Sequence, residues 1–238
     1  TLELGEEYVG KRYDAFFTQI PVNKESQLKE QAEKVVPELP GKLIIKEFPT
    51  GRATMSTIES HINKVEGLGV KADLVIIDYV DLLSSRRKNR ERKEEIDDIY
   101  GSTKGLAREL DIPIWSVSQV NRAGAKDEII EGDKAAGSYD KLMITDFAMS
   151  LSRKKEDKLK GTGRLHIMKN RYGMDGITYT LKADTSTGRF EVFHYNTDIE
   201  EETFAPAVKS NKFDVDVDRY DKNSMAEKYN LLSSEIKE

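Results

Sequence analysis

Hydrophobic residues recur with a helical period over several stretches of the chain. The pattern is clearest from Glu6 to Phe17, where aromatic side chains return at helical spacing and Pro21 ends the stretch. The segment from Lys24 to Val36 predicts a charged helix lying on the surface, followed at once by a proline. A long helix is predicted from about Arg92 to Leu110, and a short one from Asp140 to Ile144.

One further helix carries a specific signal for its start. Its pattern runs from about Thr57 to Val65 and follows the turn "PTGRATMS". Ser56 stands three residues before Glu59, the spacing of a capping box, in which each side chain bonds the other residue's backbone N–H group. The sequence therefore predicts that Ser56 caps this helix at its N-terminus.

Other stretches have the short apolar runs or the two-residue alternation of β-strands. They are Lys42–Phe48, the run "LVII" before Asp78, Ile112–Gln119, Asp146–Arg153, Gly163–Arg171, Ile177–Asp184 and Arg189–Phe193. A charged loop is predicted before Gly163, and the turn "TSTG" joins the last two strands. Strands that alternate with helices and then close in hairpins indicate an α/β fold, with a mostly parallel sheet and an antiparallel hairpin edge.

The pattern fails after Asn196. This segment carries 11 acidic and 6 basic residues, is interrupted by Pro206, and has few apolar residues before "NSMAEKYNLLSSEI". We predict a folded domain over residues 1–195 and an acidic tail over 196–238, flexible to Asp221 and ending in a short amphipathic helix. Such a tail either binds a partner or only keeps the protein in solution, and the sequence leaves both open.

Composition excludes several kinds of chemistry. With 238 residues, 34% of them charged, and a mean hydropathy of −0.62, the chain can build a core beneath a highly charged surface. It has no cysteine, which excludes disulfides, zinc–thiolate sites and thiol nucleophiles. Its histidines (His61, His166 and His194) lack a metal-ligand spacing and are interpreted as structural or surface residues.

The charge and hydropathy profiles bear on location and partners. No apolar run reaches membrane-spanning length and no signal peptide opens the chain, which predicts a cytoplasmic protein with no membrane partner. The net charge is −5, and residues 196–238 alone carry −5, so residues 1–195 are neutral overall. The global charge therefore does not exclude a locally basic surface for nucleic acid.

Polar residues at three strand ends are the candidates for chemistry. Asp78 and Asp81 follow the run "LVII", Gln119 follows "IPIWSVS", and Lys169 and Arg171 end the segment "GRLHIMKNR". A buried strand normally excludes carboxylates, although an apolar strand that simply stops at the surface often ends in aspartate. In parallel α/β sheets, ligands bind at the carboxyl ends of the strands, so these positions are the natural ones for a site.

Taken in order, the motifs resemble a known family. The segments "TLEL", "LVIIDYVDLL", "LARELDIPIWSVSQVNR", "GSYDKLMITDFAMSLSR" and "MKNRYGMDG" are similar to the hexameric replicative helicases of the DnaB-like family, with the bacteriophage members of the T-even type most similar. The resemblance spans residues 1 to about 195. It implies a RecA-like P-loop ATPase fold, ATP and Mg²⁺, and a homo-hexamer that moves 5′→3′ on single-stranded DNA in a bacterial or phage-infected cell.

The resemblance also implies roles for individual residues. Asp78 corresponds to the Walker B acid, which holds Mg²⁺ mainly through water. Glu3 corresponds to the glutamate that polarises the attacking water; without the resemblance it would be taken for a solvated residue at a frayed terminus. Gln119 corresponds to a sensor of the γ-phosphate, with Arg122 assisting.

Two further cations are implied to act across subunits. Lys169 and Arg171 correspond to the family's finger residues, which reach the ATP of the neighbouring subunit and stabilise charge on the transferred phosphoryl group. Gly173 and Gly176 would give this hairpin its tight turn. Hydrolysis would then be a property of the subunit interface.

DNA contacts are expected on two loops. The first loop contains Arg86, Arg87, Lys88 and Arg90, and the second contains Lys126, Lys134 and Lys141. Such cations can bind phosphate, but an ordinary solvated helix start would look the same. Tyr79 and Tyr139 could stack on bases, although packing within the fold is the better explanation for Tyr79.

The family's phosphate-binding loop, G-x-x-x-x-G-K-[ST], does not occur in these 238 residues. The resemblance places that loop upstream of "TLEL", so we interpret the chain as the C-terminal part of a helicase, arising by truncation, a split gene or an intein. By itself it is predicted to bind ATP poorly and not to unwind DNA. Primase and a helicase loader would be partners of the full-length protein.

Two alternatives remain open on the sequence alone. The first is another RecA-like ATPase, such as a recombinase or a KaiC-like protein. The second is a nonenzymatic RecA-like module that joins or regulates a complete helicase ring, an alternative favoured by the missing P-loop.

Overall fold

The computed structural model describes residues 1–85, 91–119, 129–130 and 139–194. Its helices in these ranges are α1 (Glu6–Thr18), α2 (Glu25–Val35), α3 (Met55–Gly67), α4 (Arg92–Leu110), α5 (Tyr139–Ile144) and α6 (Lys155–Lys160), with 3₁₀ turns at Val36–Glu38 and Val80–Leu82. The chain divides into two units, Thr1–Asn196 and Thr197–Glu238. The second unit lies outside the described residues, so the flexible tail and its helix stay predictions.

The helical predictions agree with the structure except at two places. The predicted bounds of α4 match the observed ones, and α1, α2 and α5 differ from prediction by at most a residue or two. The predicted capping box of α3 is wrong, because the helix begins at Met55 and Thr54 is its N-cap. There the Thr54 backbone N–H donates to Thr57 Oγ1 at 3.2 Å. The predicted charged loop before Gly163 contains α6.

The strands are β1 (Val75–Ile77), β2 (Ile114–Ser116), β3 (Phe147–Ser152), β4 (Thr162–Asn170), β5 (Thr178–Asp184) and β6 (Arg189–His194). The predicted strand Lys42–Phe48 is wrong. Its last residues instead pair with the first residue of the chain, where the Thr1 nitrogen donates to the Lys46 carbonyl and the Phe48 N–H donates to the Thr1 carbonyl.

Two sheets are formed by the described strands. β1 and β2 are parallel, with Val75 opposite Ile114 and Ile77 opposite Ser116. β3, β4, β5 and β6 follow one another in an antiparallel sheet. The antiparallel part is therefore larger than the hairpin edge expected from the sequence, and it is hydrogen-bonded as a sheet of its own.

The main core lies between α3, α4 and β1. Its buried residues are Leu2, Ala53, Met55, Ile58, Ile62, Ile77, Val80, Leu83, Ile99 and Leu106. Ile77 and Val80 belong to this core and flank Asp78 on the chain, so the core fixes the position of that acid. Leu2 does the same for Glu3.

Part of the sheet surface is apolar and uncovered. Large hydrophobic side chains at alternating positions are exposed there: Leu74, Ile76, Trp115, Val117, Phe147, Met149 and Leu151. Trp115 on β2 lies near Phe147 on β3, with ring centroids 5.8 Å apart. Contiguous apolar surface of this kind is typical of a face that another protein segment covers.

Gly163 allows β4 to pack closely between its neighbours. A Cβ atom at this position would lie 2.7 Å from Arg153 Cγ, 2.9 Å from the Ser152 carbonyl oxygen and 3.1 Å from Leu181 Cδ1. We expect Gly163→Ala to lower the free energy of unfolding by about 1–3 kcal/mol, the usual cost of overpacking. Gly101→Ala in α4 is the matched control, because a Cβ there meets no atom within 4 Å. Urea denaturation of both variants checks this, and equal shifts would contradict it.

Candidate active site

Asp78 stands directly after β1 with a half-buried side chain. Its backbone carbonyl accepts a hydrogen bond from the Leu2 N–H at 2.8 Å, and its peptide bond to Tyr79 is cis. Within the described part of the chain, no side chain donates to its carboxylate. The carboxylate is therefore open to a cation or its water ligands, as a Mg²⁺-directed acid requires.

Asp81, three residues later, is engaged on both oxygens. Its Oδ1 accepts from the Tyr100 hydroxyl at 2.8 Å. Its Oδ2 accepts from Lys141 Nζ at 2.7 Å and from Ser118 Oγ at 3.0 Å. The two acids at this strand end thus differ in their partners: the Asp81 carboxylate accepts hydrogen bonds from protein side chains, and the Asp78 carboxylate does not. This difference favours Asp78 over Asp81 as the metal-directed residue.

The first residues of the chain are held against the end of β1. Leu2 is in the core, and its carbonyl accepts a bond from Thr50 Oγ1. Thr1 Oγ1 donates to the Leu4 carbonyl at 2.9 Å, which closes a turn around Glu3. Glu3 itself is exposed. Its neighbours are therefore fixed, unlike those of a residue at a frayed terminus.

Tyr79 follows Asp78 directly, and nearby acidic charges act on its phenol. The pKa of its phenol is raised, first by partial burial and then by the charges of Glu3, Asp81 and Asp78. The Leu2 N–H bond to the Asp78 carbonyl also places Glu3, the next residue, near Asp78. The structure brings these two predicted catalytic residues, 75 positions apart in the chain, to one region.

Gln119 lies beyond the end of β2 and is exposed. Because β1 and β2 are parallel neighbours, Gln119 and Asp78 leave the sheet at the same edge. Ser116 ties the two strand ends together: its Oγ donates to the Ile77 carbonyl at 2.8 Å and accepts from the Val80 N–H at 3.0 Å. Sequence analysis missed Ser116, for which the only signal is a serine inside an otherwise apolar strand.

Lys169 and Arg171 contact the end of α5 and the start of β3. Lys169 Nζ donates to the carbonyls of Leu142 and Met143, at 2.5 and 3.1 Å. Arg171 Nη1 lies 3.1 Å from Asp146 Oδ1. Among the described residues, neither cation contacts Glu3, Asp78 or Gln119, so the structure places both predicted finger residues away from these three side chains.

Asp146, which sequence analysis missed, binds two cations, Lys104 and Arg171. Lys104 Nζ donates to its Oδ1 at 2.8 Å, and the Arg171 backbone N–H donates to its carbonyl at 2.9 Å. The bond from Lys104 is the main reason that the pKa of Asp146 is lowered. The pKa of Lys169 is also lowered, by burial first and by the charges of Arg171 and Lys104 next.

The predicted DNA contacts are mostly outside the described residues. This holds for Arg86, Arg87, Lys88, Arg90, Lys126 and Lys134, and also for the predicted phosphate-site residue Arg122. Lys141 is described, and it is buried in its ion pair with Asp81. A phosphate contact would require Lys141 to leave that pair, so its placement disfavours the predicted contact.

Other classes of site find little support in the described ranges. They contain no group of three or more histidine, cysteine, aspartate or glutamate side chains placed to hold a metal. A Mg²⁺ ion here would depend on Asp78 together with water and phosphate oxygens. None of the described helices combines the length and hydrophobicity needed to span a bilayer. His61 packs edge-on against Phe48, and His166 Nδ1 bonds Thr178 Oγ1 at 2.9 Å.

Comparison with known proteins gives a consistent result. The family model described as "DnaB-like helicase C terminal domain" matches residues 18–192. A probable plasmid replicative DNA helicase of Chlamydia psittaci is 31% identical over 127 residues, which are 50% of this chain and 27% of that protein. Replicative DNA helicase DnaB of Mycoplasma pneumoniae is 28% identical over 185 residues, 71% of this chain and 37% of that protein.

Solved structures show the same fold. The structure titled "ATPase Domain of G40P" is similar with a TM-score of 0.69 at 23% identity, covering 82% of this chain and 73% of that one. A DnaB-like replicative helicase, solved in a study of its interactions with primase, has a TM-score of 0.68 at 21% identity, covering 82% and 50%. These likenesses confirm the predicted RecA-like α/β fold class. The chain spans less than two fifths of either curated relative described above.

Proposed function

Because the chain belongs to the DnaB-like helicase C-terminal domain family, we propose that it is the ATPase portion of a replicative DNA helicase. In this proposal the domain works in a homo-hexameric ring around single-stranded DNA. ATP hydrolysis at the subunit interfaces drives 5′→3′ movement and separates the duplex at the replication fork.

The observation that carries the proposal is the edge shared by Asp78 and Gln119. A carboxylate without a side-chain donor, directly after a strand whose last residue, Ile77, is buried in the core, suits a hard cation that keeps most of its water. Asp78 would therefore hold Mg²⁺ through water beside the ATP phosphates, where the ion neutralises developing charge. Gln119, whose amide can bond phosphate or water without adding charge, would report the presence of the γ-phosphate.

Glu3 completes this half of the site. Its neighbour Leu2 donates to the Asp78 carbonyl, and the turn closed by Thr1 holds the backbone of the exposed Glu3. We propose that Glu3 orients and polarises the water that attacks the γ-phosphate. Arg122 would assist at the phosphates.

The remaining charge would come from a neighbouring subunit. Lys169 is held at the end of α5, and Arg171 pairs with Asp146 at the start of β3. In the ring, both cations would reach the neighbour's ATP, and Arg171 would exchange the Asp146 carboxylate for phosphate oxygens. A planar guanidinium suits either partner because carboxylate and phosphate accept the same paired donors.

DNA, protein partners and location belong to the same proposal. The cations Arg86, Arg87, Lys88, Arg90, Lys126 and Lys134 would contact DNA phosphates, with no sequence preference. Primase and a helicase loader would bind the full-length protein, in the cytoplasm of a bacterium or a phage-infected cell. The ATP phosphates need a P-loop, which these 238 residues do not contain and another segment must supply.

A helicase assay tests the proposal as a whole. The chain is joined to or co-expressed with the segment that carries the P-loop, and ATP hydrolysis is measured with and without single-stranded DNA. Forked duplexes with either a 5′ or a 3′ tail on the encircled strand then give the polarity. We expect DNA-stimulated hydrolysis and unwinding from the 5′ tail, and neither from the chain alone. A recombinase would pair strands instead, and a regulatory module would add no hydrolysis of its own.

A further inference from the structure

Asp81 organises a partly buried polar cluster that the proposed chemistry does not use. The cluster consists of Asp81, Tyr100, Ser118 and Lys141, which we call the Asp81 clamp. Besides the three bonds to Asp81, Lys141 Nζ donates to Ser118 Oγ at 3.0 Å and lies 5.3 Å from the centre of the Tyr100 ring. The side chains of Lys141 and Asp81 are only 7% and 16% exposed.

The clamp joins four elements at one carboxylate. Asp81 lies on the 3₁₀ turn after β1, Tyr100 on α4, Ser118 beyond β2, and Lys141 on α5. Burial, followed by the charge of Asp81, raises the pKa of Tyr100, so its hydroxyl keeps its proton and stays a donor. Asp81 therefore meets one cation and two neutral donors, an arrangement that satisfies a partly buried charge.

The position of the clamp in the chain gives it more than a packing role. Ser118 and Lys141 flank the segment 119–140, and both bind the same oxygen of Asp81. That segment begins with the proposed sensor Gln119 and contains two proposed DNA contacts, Lys126 and Lys134. Asp81 in turn follows Asp78 by three residues. One carboxylate thus ties both ends of a proposed DNA-contacting segment to the strand end that bears the proposed Mg²⁺ acid.

We propose that the Asp81–Lys141 pair couples DNA binding to ATP hydrolysis. DNA bound to the segment 119–140 would displace Lys141, and the ion pair would pass this displacement to Asp81. Asp81 also bonds Ser118, so the displacement would reach Gln119, the next residue in the chain. Asp81 and Lys141 are positioning residues, since neither touches ATP in the proposed site. The inference rests on the proposed helicase function and adds to it the route by which DNA stimulates hydrolysis.

A coupling role and a purely structural one predict different results. If the pair were purely structural, its removal would change stability and would lower hydrolysis by the same factor with and without DNA. A coupling pair would lower the ratio of DNA-stimulated to basal hydrolysis, because the basal reaction uses only the residues at the nucleotide. This ratio is therefore the measurement that separates the two roles.

The test uses Asp81→Asn, Lys141→Met and the double variant in the P-loop-containing ring. With each single variant we expect the stimulation ratio for oligo-dT to fall about tenfold, within the usual range of allosteric coupling, while basal kcat stays nearly unchanged. The double variant should be no worse than either single one, because both remove the same interaction. Asp157→Asn is the matched control, since Asp157 is also paired, with Arg164 at 2.8 Å, and is 14% exposed.

If Asp81→Asn and Lys141→Met do not fold, Ser118→Ala tests the same role. It removes only a neutral hydroxyl from the clamp, and we expect a smaller fall in the same ratio. An unchanged ratio in the folded variants, or equal losses with and without DNA, overturns the coupling role. If wild-type rings show no DNA-stimulated hydrolysis, the helicase proposal itself fails. If wild-type rings show this stimulation and the clamp variants keep the wild-type ratio, the helicase proposal stands and only the coupling role of the clamp is wrong.

Discussion

Arg171→Ala is expected to abolish DNA-stimulated ATP hydrolysis, lowering kcat by about 10³-fold or more, as loss of a trans-acting arginine does in related phosphoryl transfers. The loss follows from charge, because a guanidinium stabilises negative charge on the transferred phosphoryl group and alanine cannot. Stability should change little, since the Arg171 side chain is 40% exposed and its pair with Asp146 is largely solvated. ATP hydrolysis by P-loop-containing rings, together with thermal unfolding, measures both effects.

Arg189 provides the matched control for this variant. It is 41% exposed and also pairs with a carboxylate, that of Glu191 at 2.7 Å, but it lies on β6. Arg189→Ala should leave kcat unchanged. If Arg171→Ala retains normal hydrolysis, the helicase proposal fails.

Mixed rings show whether Arg171 acts across the interface. Subunits carrying Arg171→Ala are combined with subunits carrying Asp78→Asn, and uniform rings of either variant are expected to hydrolyse ATP far more slowly than wild type. At an interface where an Arg171→Ala subunit supplies Asp78 and its Asp78→Asn neighbour supplies Arg171, both residues are intact. We therefore expect mixing to restore part of the activity, whereas a finger acting within its own subunit would give none.

Asp78→Asn is expected to lower Mg²⁺-dependent hydrolysis by about a hundredfold or more, because a positioned metal supplies several kcal/mol of transition-state stabilisation. Asparagine keeps the size of the side chain and removes its charge, so water bound to Mg²⁺ loses its anionic acceptor. The Mg²⁺ concentration needed for half-maximal hydrolysis should rise as well. Titration of MgCl₂ at saturating ATP gives both quantities.

Two other aspartates serve as controls for Asp78. Asp73 is exposed, precedes β1, and should tolerate asparagine without any change in Mg²⁺ dependence. Asp81→Asn should lower DNA stimulation while keeping the Mg²⁺ midpoint, because Asp81 is occupied by protein donors. If Asp81→Asn shifts the Mg²⁺ midpoint and Asp78→Asn does not, then Asp81 is the metal-directed acid and Asp78 is not.

The helices were predictable because their signal is local. The 3.6-residue period and the flanking prolines are read from neighbouring residues, and the bounds predicted for α4 agree with the structure. Capping and strand pairing depend on finer geometry. Ser56 had the right spacing for a cap, yet Thr54 is the N-cap, and Ser56 Oγ is buried with no hydrogen-bond partner among the described residues. Lys42–Phe48 has the composition of a strand but, within the described ranges, no neighbouring strand to pair with.

The sequence by itself determined the family and the order of its motifs, since residue identity and spacing carry that information directly. It also ranked Asp78 above Asp81 as the metal-directed acid. Only the tertiary structure decided what surrounds each charge. Lys141, predicted to bind DNA, is 60 residues from Asp81 and pairs with it. Asp146 precedes β3 and Arg171 follows β4, and they pair because the antiparallel register of the two strands places them at the same end of the sheet. Coulomb and hydrogen-bond energies depend on distance in space, which the sequence does not contain.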